Sequence, residues 1–208
     1  MLNMKSLNLY QNQFKKFGVD PKSLLWKSRG AAHQRFRQFW AEIDFTDKKV
    51  LDIGCGFGEF GHFVIKRYKG VKYTGIDIIS EFIEKAKGEV PGGSFFAADY
   101  LKDKLNDHYD VVIASGVLNS NKGGQNLAFR KNAIKKMFSL TSDILAFNML
   151  GGHPAPSNKR SLPLCGKKDS NVWYSDSLEI LEYCMSLTRR IILRSNYHSK
   201  DFTIIMYR

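Results

Sequence analysis

From Lys49 onward the chain alternates short apolar runs with amphipathic stretches. Lys49 to Ile53 is a compact Val/Leu/Ile run ending in a glycine cluster, and it predicts a strand. Glu59 to Tyr68 carries Phe60, Phe63, Val64 and Arg67 at helical spacing, and Val71 to Asp77 predicts a second strand. Ser80 is the expected cap of a helix reaching Lys87, with Glu81 four residues before Lys85 and Gly88 at the stop position. Ser94 to Ala97 and Tyr109 to Ser115 predict two further strands, the second holding a Val111-Val112-Ile113 run. Gln125 to Leu140 repeats Phe129, Ala133, Met137 and Leu140 as a packed helix does, and Asp143 to Leu150 predicts a fifth strand.

The last third breaks that rhythm. Asp176 and Glu179 form a capping-box pair for a helix through Ser186. Arg190 to Arg194 and Phe202 to Arg208 then read as two strands joined by the polar turn Asn196 to Asp201, an antiparallel hairpin. Strands alternating with helices of crossover length imply an α/β fold, a mostly parallel sheet covered on both faces. No repeat, low-complexity segment or linker divides the chain, and 208 residues fit one hydrophobic core.

Composition changes the picture in one respect. Hydrophobic residues at 43% and charged residues at 25% are ordinary for a globular protein, but 32 Lys+Arg against 20 Asp+Glu give a net charge of +12. The first forty residues hold Lys5, Lys15, Lys16, Lys22, Lys27, Arg29, Arg35 and Arg37 against the single Asp20. Such a surface concentrates anionic partners: nucleic acid, anionic metabolites or acidic proteins. Apolar runs such as Ile144 to Phe147 are too short to span a bilayer, and Met1 to Lys16 has no signal-peptide pattern, so no membrane partner and a cytoplasmic location are expected. Cys55, Cys165 and Cys184 offer neither a disulfide framework nor zinc spacing.

The densest chemistry is Val50-Leu51-Asp52-Ile53-Gly54-Cys55-Gly56-Phe57-Gly58, a strand running into alternate glycines before a helix. Glycine there permits positive φ and close approach of a ligand to the backbone. Asp77 closes the next strand 23 residues after Gly54, where a carboxylate can accept both hydroxyls of a ribose. Two nucleoside cofactors compete for such a site. Gly56-Phe57-Gly58-Glu59-Phe60-Gly61 matches the dinucleotide pattern, yet the glycine that directly follows the strand is Gly54, and counting from it the last required glycine falls on Glu59. Glu59 and Asp52 also bring negative charge to a helix N-terminus that a pyrophosphate would need. Both carboxylates suit a cofactor carrying an ammonium and a sulfonium.

On these residues the chain resembles class I S-adenosylmethionine-dependent methyltransferases, well over residues 45–150 and more loosely in the closing helix and hairpin. Asp52-Ile-Gly54-Cys55-Gly56-Phe-Gly58 resembles the motif holding the methionine part of the cofactor. Gly75-Ile76-Asp77-Ile78 resembles the next, with Asp77 on the ribose and Ile78 packed on adenine. Ala97-Ala98-Asp99-Tyr100 resembles the third, with Asp99 near the adenine amino group. Tyr109 to Asn119, with Ser115 at its turn, resembles the fourth, facing the substrate. The resemblance implies a Rossmann-like, seven-stranded sheet whose final hairpin inserts antiparallel. It also implies an N-terminal helical cap over residues 1–44, a methyltransferase domain over 45–208, S-adenosylmethionine as cofactor and no metal. Trp26 through Phe36 reads as a helix that lids the cofactor, with Gln34, Arg29 or Arg35 available to its carboxylate.

The acceptor is less legible. Methyl transfer from a sulfonium mainly demands alignment and desolvation, and a general base only where the acceptor is protonated. No Asn-Pro-Pro-Tyr box or Pro-Cys nucleophile follows the fourth strand, which argues against base-amine and cytosine C5 methylation. Asn119, Asn148 and Tyr174 are the candidates for the acceptor pocket, His153 is a weak candidate base, and the long segment Gly151 to Trp173, with Lys159, Arg160, Lys167 and Lys168, is an expected wall. Three functions follow: O- or N-methylation of a small molecule, RNA or protein methylation on the basic N-terminal face, or silent binding of S-adenosylmethionine.

Overall fold

The computed structural model describes residues 4–26, 28–105, 108–153 and 171–208. Two helices come first, α1 (Met4–Phe17) and α2 (Arg29–Trp40), with a 3-10 turn at Pro21–Leu24 between them. There follow β1 (Lys49–Ile53), α3 (Glu59–Arg67), β2 (Lys72–Asp77), α4 (Ser80–Glu89), β3 (Ser94–Ala97) and β4 (Tyr109–Ser115). Next come α5 (Asn126–Leu140), β5 (Thr141–Gly152), the two-residue β6 (Ser175–Asp176), α6 (Ser177–Met185), β7 (Ile191–Arg194) and β8 (Asp201–Tyr207).

The sheet runs β3-β2-β1-β4-β5-β8-β7. Pairs from β3 to β5 are parallel, whereas β8 lies antiparallel between β5 and β7. The seven strands of the expected sheet are all present, and β6 is an addition, pairing in parallel with Gly151 and Gly152 at the end of β5.

Alternation decides which helix each strand residue meets. Val50, Val111, Ile113, Ala146 and Ile205 face one way, into a cluster with Phe36 and Phe39 of α2 and Phe60, Phe63 and Val64 of α3. Their neighbours Leu51, Val112, Leu145, Phe147 and Ile204 face the other way, against Ala133, Ile134 and Met137 of α5 and Ile180 and Cys184 of α6. Each fully buried Phe or Leu here stabilises the fold by roughly 1.5–3 kcal/mol. That two-sided burial is why the strands read as continuous apolar runs rather than alternating ones.

Some element ends differ from the sequence pattern. α2 starts after Ser28, whose hydroxyl accepts from Ala31 N at 3.2 Å, so Trp26 precedes the helix. Helix α4 is capped by Ile79, not Ser80, because Asp77 Oδ1 already takes the Ile79 N–H at 3.0 Å. It runs through Gly88 and ends at Val90, whose buried side chain outweighs the glycine stop. Glu81 meets Gln11 of α1 at 3.0 Å rather than forming the expected pair with Lys85. The Asp176 cap is present: its Oδ1 accepts from Leu178 N at 2.9 Å.

Candidate functional site

The direction of strand progression reverses at β1, and a cavity of about 160 Å³ opens at the carboxyl ends of β1, β2 and β4. That is about ten times the roughly 10–15 Å³ occupied by one water. The loop after β1 forms its floor. Gly54 has φ of 71°, and a Cβ there would overlap Val117 Cγ2. Only glycine fits both constraints. Gly54 N and Cys55 N donate to Ile76 O at 2.8 and 3.0 Å, Gly56 N to Asp77 Oδ2 at 3.0 Å, and Gly58 N to Cys55 O at 2.9 Å. These four N–H groups are spent inside the protein, so they are not offered to a phosphate, and the local geometry counts against a pyrophosphate cradle.

The glycines have packing duties the motif alone does not display. Leu24 sits over Gly56, Gly58 is the N-cap of α3 against Val90 and Phe95, and a Cβ on Gly61 would stand 2.5 Å from the Tyr73 ring. Gly61, the last glycine of the dinucleotide-like pattern, therefore lets α3 settle on β2.

Among the described residues, every charged side chain in the wall of this cavity is acidic: Asp52, Glu59, Asp77 and Asp99. Asp52 is only 3% exposed and accepts from the Tyr73 hydroxyl at 2.6 Å. Burial pushes its carboxyl up to about 7, the Tyr73 hydrogen bond opposes this and the charge of Asp77 adds to it. Asp77 is raised to about 6 by burial, against the pull of backbone N–H groups at Ile79, Gly56 and Ile78. Glu59 is partly offset by His33 Nε2 at 3.2 Å and Arg29 Nε at 3.9 Å. Asp99 Oδ1 takes Leu101 N at 3.1 Å, while its Oδ2 is buried with no hydrogen-bond partner. A buried oxygen left unpaired costs free energy that an N–H of a bound molecule would recover.

Of the residues expected to hold cofactor, Asp52, Gly54, Cys55, Asp77, Ile78, Asp99, Tyr100 and Ser115 line this one cavity, whereas Gly56 and Gly58 do not, packing against Leu24 and against Val90 and Phe95. The Tyr100 hydroxyl, like Asp99 Oδ2, is buried without a partner. The Cys55 thiol is pushed well up by burial, then by Asp52 and Asp77, which keeps it protonated and inert.

Several other expectations are corrected. Gln34 Nε2 donates to Tyr197 O at 2.6 Å and Arg35 pairs with Asp201, so both turn toward the β7–β8 hairpin, away from the acidic cavity. Asn148 is fully buried and lines neither this cavity nor its neighbour: its Oδ1 accepts from Ser115 Oγ at 3.2 Å and Gly116 N at 3.1 Å, fixing the end of β4. Asn119 braces β5 by accepting Leu150 N at 2.8 Å, yet it also borders the second cavity. His153 is exposed and Tyr174 half-buried, and neither lines either cavity. Lys27, Lys159, Arg160, Cys165, Lys167 and Lys168 lie outside the described residues.

Of the roof, Trp26 belongs to the lid that the sequence predicts, whereas Tyr10 and Leu24 are not singled out by it. Tyr10, Leu24 and Trp26 close the cavity from above, held there because Leu7, Tyr10 and Phe14 pack on Phe57, Ile79 and Phe82. The amphipathic face of α1 was the available signal. Nor does the sequence single out Arg130, fully buried, which donates to Asn126 O within α5 at 2.8 Å and ties that helix to Ser120 O at 3.1 Å beside the cavity. Among the described residues no group of three or more His, Cys, Asp or Glu is placed to hold a metal, and no helix is long and apolar enough to cross a membrane.

Residues 51–139 match a family model described as a methyltransferase domain. The chain is 30% identical over 82 residues to trans-aconitate 2-methyltransferase of Rhodopseudomonas palustris (strain BisB18), covering 39% of this chain and 32% of that protein. It is 31% identical over 107 residues to malonyl-[acyl-carrier protein] O-methyltransferase of Acetivibrio thermocellus, covering 49% and 35%. These matches thus span about a third of the relatives' length. Magnesium protoporphyrin IX methyltransferase from Synechocystis PCC 6803, solved with bound S-adenosylhomocysteine, superposes with a TM-score of 0.65 at 16% identity over 99% of this chain and 95% of its own. Its likeness is one of fold. Residues 51–139 thus match a methyltransferase domain, and the glycine turn, the acidic strand ends and the strand order resemble those of class I S-adenosylmethionine-dependent methyltransferases.

Proposed function

We propose that the chain binds S-adenosylmethionine in the acid-lined cavity and transfers its methyl group to an oxygen or nitrogen of a small molecule. One observation carries this reading: in a protein of net charge +12, the described residues lining this cavity include four acids and no Lys or Arg. That wall suits a ligand bearing a sulfonium and an ammonium and disfavours a pyrophosphate. Asp77 keeps lone pairs for ribose hydroxyls, Asp99 Oδ2 awaits an amino donor, and Ile78, Ala98 and Tyr100 offer flat apolar contacts for a base.

The sulfonium brings its own leaving group, so the chain's work is to bind, align and exclude water. The first 44 residues act as the cap, with Tyr10, Leu24 and Trp26 closing the cavity. Ser115 and Gly116, fixed by Asn148, set the edge that the acceptor approaches. Trans-aconitate, the acceptor named for one relative, is a small molecule and supports that substrate class, whereas the malonyl group named for the other is carried on a protein.

Calorimetry with S-adenosylmethionine and with NAD tests the donor, and binding of NAD alone would refute it. A labelled-methyl assay on cell extract split into small-molecule, RNA and protein fractions tests the acceptor. Label confined to RNA or protein would replace the small-molecule reading, and cofactor binding without any labelled product would favour silent binding.

A further inference from the structure

We propose that the second cavity is the acceptor subsite and that it takes a small organic acid, whose carboxylate is recognised by Arg35 while a different group on the molecule is methylated. This rests on the methyl-transfer reading above. The second cavity, about 100 Å³, shares Tyr10, Leu24, Trp26, Gly116 and Ser120 with the acid-lined one, so the two meet along a common wall. The charged group in its lining is of the opposite sign, and it is paired with Asp201. Among the described residues Arg35 is the one charged side chain in its lining, flanked by the amides of Asn119 and Asn171 and by the apolar Leu150 and Val172.

Arg35 is held in a fixed pose. Its Nε donates to Asp201, itself 4% exposed, and its Cζ lies over the Trp26 ring, 4.6 Å from the centroid. Its two terminal nitrogens have no hydrogen-bond partner among the described residues. A planar guanidinium oriented on one edge and open on the other matches a carboxylate in bidentate fashion. The anion of an acid would be repelled by Asp52, Asp77 and Asp99 and drawn to Arg35, which orients the molecule. Its other end then faces the shared wall. There the methyl carbon leaves sulfur and bonds to a hydroxyl or amine of the acceptor, whose proton passes to water, and the product keeps its free carboxylate.

The test is calorimetry at saturating S-adenosylhomocysteine with hydroxylated aryl and alkyl acids and their amides, 4-hydroxyphenylacetate and 3-hydroxybutyrate among them. The wild type is expected to bind at least one acid about tenfold or more tighter than its amide, the scale of one charge-assisted pair. Arg35→Gln should erase that preference while leaving S-adenosylhomocysteine affinity within about twofold. Arg35→Lys, which keeps a charge against Asp201, should shrink it to about threefold and covers the event that the glutamine variant does not fold. Leu150→Phe should weaken acid and amide alike by filling the cavity. Equal binding of acids and amides, binding of neither while S-adenosylhomocysteine binds, or a preference that survives at position 35 would each overturn the proposal. Failure of S-adenosylhomocysteine itself to bind would instead strike the reading beneath it.

Discussion

Asp77 Oδ2 accepts the Gly56 N–H at 3.0 Å, tying the end of β2 to the turn that follows β1. Its second oxygen takes Ile79 N at 3.0 Å, so the carboxylate is oriented before any ligand arrives. Asp77→Ala removes both the anchor of the turn and the acceptor for the ribose. Affinity for S-adenosylmethionine should fall by about 100-fold or more in calorimetry, the worth of about two charge-assisted hydrogen bonds. An affinity within about twofold of wild type would mean that the cofactor sits elsewhere.

The pH response follows from the same wall. Asp52 is raised to about 7 and Asp77 to about 6, both above the ordinary 3.8. The folded state therefore holds these protons more tightly than the unfolded one. The stability this contributes is complete below about pH 4 and is lost as pH rises through 6 to 7. A cationic ligand favours the ionised forms, so its binding releases protons in that window. S-adenosylmethionine affinity should rise about tenfold or more from pH 5.5 to 8 and then level, and Asp52→Asn should flatten the profile. Titrations in buffers of different ionisation enthalpy read the proton release, and an affinity independent of pH would contradict the acid-lined site.

Gly54→Ala forces a Cβ into positive φ and against Val117. The expected cost is about 2–4 kcal/mol, combining left-handed strain with overpacking. Adding Val117→Ala should recover the overpacking share but not the strain. Equal thermal stability of the wild type and Gly54→Ala would show that the turn relaxes freely.

Arg130→Met leaves Asn126 O and Ser120 O without the buried guanidinium. Denaturant unfolding should register a loss of about 1–3 kcal/mol. Because Ser120 borders both cavities, cofactor and acceptor binding should both weaken. A variant as stable as wild type would remove Arg130 from the frame of the site.

The sheet was legible because its strands are buried on both faces: Val111-Val112-Ile113 and Phe202 to Tyr207 leave few other readings, and the polar turn between the last two strands set their antiparallel pairing. The cofactor wall was legible because it is local, each residue lying at the end of its own strand. What escaped depends on distant segments meeting. Arg35 was read as free for the cofactor, but its partner Asp201 lies 166 residues away and wins it by burial. The sequence places Asn148 near a strand end and so in a pocket, yet β5 continues to Gly152 and the Asn148 amide is taken by the end of the neighbouring strand. The roof from α1 depends on Tyr10 and Phe14 reaching Phe82, a contact no local pattern contains.

A crystal of the chain grown with S-adenosylhomocysteine tests the cofactor site most directly. The expected density fills the space between the Gly54–Gly58 turn and Tyr100, with ribose hydroxyls on Asp77 and the adenine amino group on Asp99 Oδ2. Density bound anywhere else, or Asp77 turned from the ligand with Asp99 Oδ2 still unpaired, would contradict it.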